Sequence, residues 1–545
     1  MFRKIGLSLF SKGTFGKEPG IIASGMLVCA AVFVFYTGHT EWVIRIGLLE
    51  LAVLAFLFSS KPLVKWTISI SVLSLSLFAI FHLISVGSLH DWDEAIYAQV
   101  AKEIAVSDNW LTLTWAGYPF WHKPPLYFWL TAVLYKIVGI NEFAARTCSA
   151  AFGFGVIAVT FWLGLRLFSW AAGATAALFL LSIDQSTYCH WYNFVCQARV
   201  GMLETMLTFW LLLSILLVWE ANERPRLIIL IGITAGLAVM TKAWIGFFAL
   251  AMPMLYAVIT GQFHSRRRYW GLALLLAAVV ILPWHLWQIW IYGNSFLHDY
   301  FVVNLFGRVS GVIEENRHTS LFYLAVLNDG FSIFGSGYLW PAAYLWAVWT
   351  APTSEYRQKV LLLTWITIPL LLFSLAQTKL PWYVILIYPG IALLISGAVT
   401  ELLGGPRTLA ACAFALALFY FRLPAIVDGS PDVKQFAKGV SQMVSSHEAI
   451  YVYREDERGV NDNITQHKYL GAQNLRPALI YYLKNPLVCV DPDNRSMLEQ
   501  ASESYVIVHA ERPGVTEKLE LERVLLRTDD YILARSKRLS FHRCS

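Results

Sequence analysis

Charge is scarce in this chain. Asp, Glu, Lys and Arg make up 14% of its 545 residues, against about a quarter in a soluble domain. Side chains so poor in charge cannot clothe a whole surface in water, which excludes an ordinary soluble protein. The net charge is only +6, too small for the basic field that nucleic acid selects, so nucleic acid is not a partner. Closely paired cysteines are missing as well. None of the seven has the spacing of a zinc site, and no metal is read from them. Internal repeats, low-complexity segments and halves of inverted topology are also lacking, which weighs against a secondary transporter.

What the chain has in quantity is apolar length. Hydrophobic residues reach 57%, with 22 Trp, 25 Tyr and 34 Phe, and uninterrupted runs of roughly 17–25 residues recur, each long enough to span a hydrocarbon core. The first run is too long for a signal-peptide core and no small-residue cleavage site follows it, so it is expected to stay as an anchor. Spans are predicted near 20–38, 43–60, 66–86, 147–167, 171–187, 203–219, 226–242, 244–260, 270–292, 336–352, 360–376, 381–398 and 407–426, about 13 in all. The fold class is a polytopic α-helical membrane protein.

The positive-inside rule orients the spans. One set of connections holds Arg3, Lys4, Lys12 and Lys17, then Lys61 and Lys65, Arg166, Arg224 and Arg226, Arg266 to Arg268, Arg357 and Lys359, and Arg407. That set alternates with the other and is expected to be cytoplasmic. Outer loops then fall at 87–146, 188–203 and 293–335, with a short one near 377–380 and everything after about 427 also outside. The alternation requires "PPLYFWLTAVLYKIVGI" (124–140) to lie along the interface. The expected divisions are 1–65, an N-terminal segment with an extra helix pair; 66–426, a transmembrane catalytic domain; and 427–545, a soluble domain. In the last, "AIYVYR", "PLVCV", "SYVIVH" and "DYILAR" alternate with helical "VKQFAKGVSQMVSS" and "RPALIYYLK", a pattern of an α/β domain with a partly parallel sheet. Cys29, Cys148 and Cys412 fall in or beside spans. Cys189, Cys196, Cys489 and Cys544 fall outside, where Cys189–Cys196 and Cys489–Cys544 disulfides are open possibilities.

This layout gathers polar residues at one rim. The first outer loop supplies "DWDEAIYAQV" with Asp91, Asp93, Glu94 and Tyr97, then His122 and Lys123. The second loop adds Arg199, with Glu204 at a span mouth. Lys242 and Lys379 stand at two further mouths, and the long loop carries Arg308, Arg317 and His318. Each has an ordinary reading. Either lysine serves as a snorkelling anchor, Glu204 as a complement to its helix dipole, Asp91 as an N-cap, and Trp284, Trp287 and Trp290 as an interfacial belt. The segment from Asp93 reads as an amphipathic helix with Ile96, Tyr97, Val100 and Ile104 on one stripe. Together, acids and bases beside apolar walls suit a ligand with an anionic head and a lipid tail. Lysines hold a phosphate as point charges, and a carboxylate takes or orients an acceptor proton in a displacement at a sugar carbon.

"DWDEAIYAQVAKEI", "WHKPPLYFWL", "ARVGMLETMLTFWLLL", "GLAVMTKAWIGFF" and "TKLPWYVILIYPGIALL", in that order over about 66–400, resemble the polyprenyl-phosphate-sugar-dependent glycosyltransferases of the GT-C fold. The chain looks most like bacterial lipid A aminoarabinose transferases and their relatives in the protein O-mannosyltransferase superfamily. The resemblance implies Asp93 as the catalytic carboxylate with Glu94 and Tyr97 beside it. It implies Lys123 and Lys242 as contacts to the lipid phosphate, Glu204 as the second-loop acid, and Arg308 from the long loop. His122 and Lys379 join the substrate-binding set. The implied protein is a bacterial inner-membrane enzyme with its site and C-terminal domain outside. It takes a sugar from a polyprenyl-phosphate donor (undecaprenyl phosphate in a bacterium) with inversion and without a required metal or cofactor, and passes it to lipid A, another envelope glycolipid or protein Ser/Thr. Ile96 stands where aminoarabinose transferases have Arg, and Phe120 and His122 where they have Tyr and Glu, which leaves sugar and acceptor open.

Overall fold

The computed structural model describes residues 40–58, 61–182, 193–307, 318–330, 338–350, 356–417, 428–453, 475–490, 504–510 and 520–538. The predicted first span and Cys189, Arg308, Arg317 and Cys544 lie outside the described residues. Contacts divide the chain into two compact units. One comprises Met1–Ile84, Thr147–Arg199 and Leu203–Ile426; the other comprises Ser85–Arg146, Val200–Met202 and Val427–Ser545.

The first unit is helical. Among the described residues, six helical stretches have the length and apolarity of a membrane crossing: Pro62–Phe81, Glu142–Leu167, Pro225–Ile259, His264–Tyr292, Tyr356–Leu375 and Pro381–Leu403. Shorter helices Thr40–Phe58, Trp170–Ser182, Glu204–Glu220, Leu339–Thr350 and Gly405–Ala415 fall on other predicted spans. The stretch Pro225–Ile259 contains two helices, Ile228–Lys242 and Phe248–Ile259, broken where Ala243 adopts φ 46°, ψ −126°. In Trp170–Ser182 every residue after the tryptophan is buried, and most are Ala, Gly or Thr. Such small side chains let helices approach closely where lipid supplies no hydrophobic drive. The expected tryptophan belt needs correction. Trp290 is exposed, but Trp284 is buried among His285, Phe296 and Tyr300, because the helical turn carries the two rings to different faces. Cys196 is disulfide-bonded.

The second unit joins the first outer loop to the tail. The loop contributes the helix Asp93–Ser107, an antiparallel pair β1 (Thr114–Trp115) and β2 (Tyr118–Pro119), and the helix Leu126–Val138. At 13 residues the last rises about 20 Å, short of a bilayer core. The tail forms β3 (Ile450–Tyr453), β4 (Leu487–Val490), β5 (Tyr505–His509), β6 (Glu520–Arg527) and β7 (Tyr531–Arg538) in the order β4-β3-β5-β7-β6. Strands β4, β3 and β5 are parallel, and β7 and β6 continue antiparallel. The partly parallel sheet matches the sequence pattern, with β6 added. Three register shifts against β7 break the two-residue alternation by which a strand is read.

Two ties bind loop to tail inside this unit. Arg476 gathers Asp91, Asp432 and Asp530. Lys102, on the helix Asp93–Ser107, donates to the carbonyls of Tyr481 (2.6 Å) and Leu483 (3.0 Å). Burial, opposed only in part by Glu103, pushes the Lys102 ammonium down to about 8. The folded unit therefore releases a proton that the unfolded chain keeps until its ordinary pKa of about 10.4. Below pH 8 both states hold it. Between the two values the unfolded state binds more protons, and stability rises with pH. Thermal unfolding of the detergent-solubilised protein from pH 7 to 10 is expected to show that rise, and Lys102→Met to flatten it. An equal rise in the variant would assign the titration elsewhere.

Candidate active site

The chain around the opening acids is held by a buried ion pair. Arg146, 1% exposed, donates from Nε to Glu94 Oε1 at 2.6 Å and from Nη2 to Oε2 at 3.4 Å. It also donates to the carbonyls of Val86 (2.9 Å) and Ser88 (2.8 Å). Glu94, 0% exposed, also accepts from the backbone of His90 (2.7 Å) and Gly201 (3.0 Å). Burial alone would push its carboxyl up. Arg146 and the His90 amide outweigh that and hold it below the usual carboxylate range. Gly201 is needed for closeness, since a Cβ there would stand 3.2 Å from Ala145 O and 3.3 Å from Glu94 Cγ.

Asp91 is tied on the other side. Its carboxylate accepts from Arg476 Nε (2.5 Å), Ala478 N (3.0 Å) and Ser430 Oγ (3.1 Å). It is therefore not an N-cap: the helix starts at Asp93, with Trp92 in the capping position and no side-chain cap bond. Between the two tethered acids, Trp92 takes φ 67°, ψ −123° with its ring 71% exposed. Gly293 adopts almost the same angles, φ 53° and ψ −126°, at no steric cost; for a tryptophan they are a strained outlier. Asp93 follows, half-buried, with no hydrogen bond or ion pair to any described residue.

Of the other loop residues, Tyr97 is buried, edge-on to Tyr127 and Phe128. His122 is exposed beside the ring of Phe120, and Lys123 is half-buried. Glu94 has both oxygens engaged by the protein and orients the loop. Tyr97 belongs to the aromatic core because the amphipathic stripe that predicts its helix also turns it inward.

The first unit carries a second charged group. Glu204 opens the helix Glu204–Glu220, Lys242 closes Ile228–Lys242, and the two side chains form a buried ion pair. Lys242 also lies 5.3 Å from the centre of the Tyr383 ring. The other carboxylate oxygen of Glu204 is buried and accepts no hydrogen bond from the described residues. Ala243, directly after Lys242, repeats the strained angles of Trp92. Lys379 is buried and donates to Ala376 O at 2.5 Å. Arg199 donates to His82 O at 2.7 Å, and the exposed His318 ring stacks on Phe322 at 4.0 Å. Asp93 and Lys123 thus belong to one unit, and Glu204, Lys242 and Lys379 to the other. Sequence reasoning did not single out Arg146, Arg476 or Gly201. A cation in the first turns of an apolar helix was the available signal for Arg146; Arg476 and Gly201 had none.

Comparison with known proteins agrees with this architecture. A family model described as dolichyl-phosphate-mannose-protein mannosyltransferase matches residues 122–287. An undecaprenyl phosphate-alpha-4-amino-4-deoxy-L-arabinose arabinosyl transferase of Erwinia tasmaniensis is 30% identical over 333 residues, 58% of this chain and 57% of the relative. One of Pseudomonas fluorescens is 26% identical over 392 residues, 67% of each. The chain thus spans little more than half the length of the first relative. The crystal structure of ArnT from Cupriavidus metallidurans bound to undecaprenyl phosphate superposes with a TM-score of 0.68 at 17% identity, covering 85% of this chain and 97% of that one. The chain has the GT-C fold, as its motifs implied.

Two substitutions separate tether from strain. Glu94→Gln leaves Arg146 as an uncompensated buried charge, with an expected loss of about 3–5 kcal/mol, read as a fall in thermal midpoint or in yield of folded protein. Trp92→Gly relieves a conformation worth roughly 1–3 kcal/mol and should leave the midpoint unchanged or raise it. A midpoint lowered as far as by Glu94→Gln would show that the ring, not the tether, holds the loop.

Proposed function

We propose that the protein is a membrane glycosyltransferase that moves a sugar from a polyprenyl-phosphate donor to an extracytoplasmic acceptor, in the manner of aminoarabinose transfer to lipid A. The observation that carries this is Asp93, a half-buried carboxylate without a partner among the described residues, set on a strained turn between two tethered acids, in a GT-C fold. A side chain so placed is held for something other than the fold.

In the proposed reaction an acceptor hydroxyl attacks the anomeric carbon and its proton passes to Asp93. The bond from that carbon to the lipid phosphate breaks, its electron pair leaves with the phosphate, and the anomeric centre inverts. Lys123 is the cation that the second unit offers to the departing phosphate, while Lys242 and Lys379 are buried cations of the first unit. Glu204, its ion-pair partner, holds Lys242 in place, and His122 is offered to the acceptor or sugar. Because the leaving group departs as a lipid phosphate, the chemistry requires no metal or cofactor. The positive-inside pattern supports an Asp93 loop and a tail outside the cytoplasm.

A protein acceptor is the second reading. The mannosyltransferase family model matched from His122 onward favours it. Mass spectrometry of lipid A and of envelope proteins, with and without the gene, separates the two acceptors.

Asp93→Asn is expected to lower transfer from a lipid-linked sugar by roughly 10²–10⁴-fold. Since Asp93 pairs with nothing described, the thermal midpoint should not move. Activity near that of the unaltered protein would remove Asp93 from the reaction.

A further inference from the structure

Arginines gather at one end of the first unit, where three helices begin. Arg226 precedes Ile228–Lys242, Arg266 caps Arg267–Tyr292, and Arg357 lies in the first turn of Tyr356–Leu375. None of these helices has an acidic residue in its first turn. A helix N-terminus already carries partial positive charge, so each arginine adds like charge to like.

The arginines converge in two groups. Arg268 donates to the Tyr269 hydroxyl at 2.9 Å, and Arg226 lies near enough to act on the same phenol. Arg266 donates to Asn222 O at 3.3 Å and lies near enough to Arg357 for mutual repulsion. No described carboxylate pairs with any of the four. Glu220 and Glu223, at the end of the preceding helix, are both taken by Arg166. Topology alone asks for positive charge at this end. It does not ask that two guanidinium groups gather about one phenol.

A second feature points to the ligand. From Arg268 onward, Leu272, Leu275, Val279, Leu282 and Leu286 are all exposed and recur at helical spacing, one apolar face running away from the cluster. A free phosphate has no use for that face; a lipid's acyl chains do.

We propose that the cluster of Arg226, Arg266, Arg268 and Arg357 binds the phosphate headgroup of an anionic glycerophospholipid, whose acyl chains lie along Leu272, Leu275 and Val279. Guanidinium forks take phosphate oxygens two at a time, and the anion offsets three helix N-termini together. The site is independent of the proposed reaction.

Thermal unfolding of the purified full chain, with phosphatidylglycerol, phosphatidylcholine or inorganic phosphate added, tests this. Phosphatidylglycerol is expected to raise the midpoint by several degrees and the other two to leave it. Arg226→Gln with Arg357→Gln is expected to raise the half-saturating lipid concentration at least five-fold. Native mass spectrometry of the unaltered protein gives a reading that needs no variant: anionic lipid should be retained in preference to zwitterionic. Equal shifts from phosphatidylcholine, an equal effect of inorganic phosphate, an unchanged response in the variant, or no retained preference would each overturn the proposal.

Discussion

The second unit depends on a carboxylate and a guanidinium that see no water. Glu94 and Arg146 are both withdrawn from solvent, an arrangement that costs several kcal/mol per ion unless geometry and further hydrogen bonds compensate. Here they do. Glu94 also takes two backbone amides, and Arg146 also gives to two carbonyls. The pair therefore does more than neutralise itself. It fixes the backbone at 86, 88, 90 and 201, the frame in which the Asp93 turn is built.

Strain has meaning only against such a frame. A tryptophan with φ near +67° would relax if either neighbour could move, yet Asp91 is bound to Arg476 and Glu94 to Arg146. The turn is over-determined, and the result is a carboxylate that no described side chain satisfies. Ala243 beside Lys242 shows the same association of a costly backbone with a charged side chain in the first unit. Observed outliers of this kind cluster where geometry serves chemistry.

The charges divide the molecule by purpose. Buried pairs, Glu94–Arg146 and Glu204–Lys242, are neutral as pairs and so tolerable where dielectric is low. The arginine cluster at the starts of three helices is not neutral. It is tolerable only where water or an anionic headgroup can meet it. That contrast is why the first two groups read as internal organisation and reaction, and the third as contact with the membrane surface.

Much of this was written in the linear order of residues. Apolar runs of span length located the helices, because hydrocarbon admits few alternatives to a self-satisfied backbone. The short strands of the tail and the "DWDE" acids were equally visible, since composition and alternation are local properties. What the three acids do was not local. Asp91, Asp93 and Glu94 look alike in sequence, and only the chain brought to them from 146, 201 and 476 distinguishes two tethers from one carboxylate without a described partner. Strand β6 stayed hidden for a related reason: its register shifts are set by its partner β7. The sequence determined a membrane-spanning helical protein with an acidic loop and a strand-bearing tail. Tertiary structure alone decided which charges are spent on each other and which is left over, because pairing is a matter of distance in space, and residues far apart in the chain supply the partners.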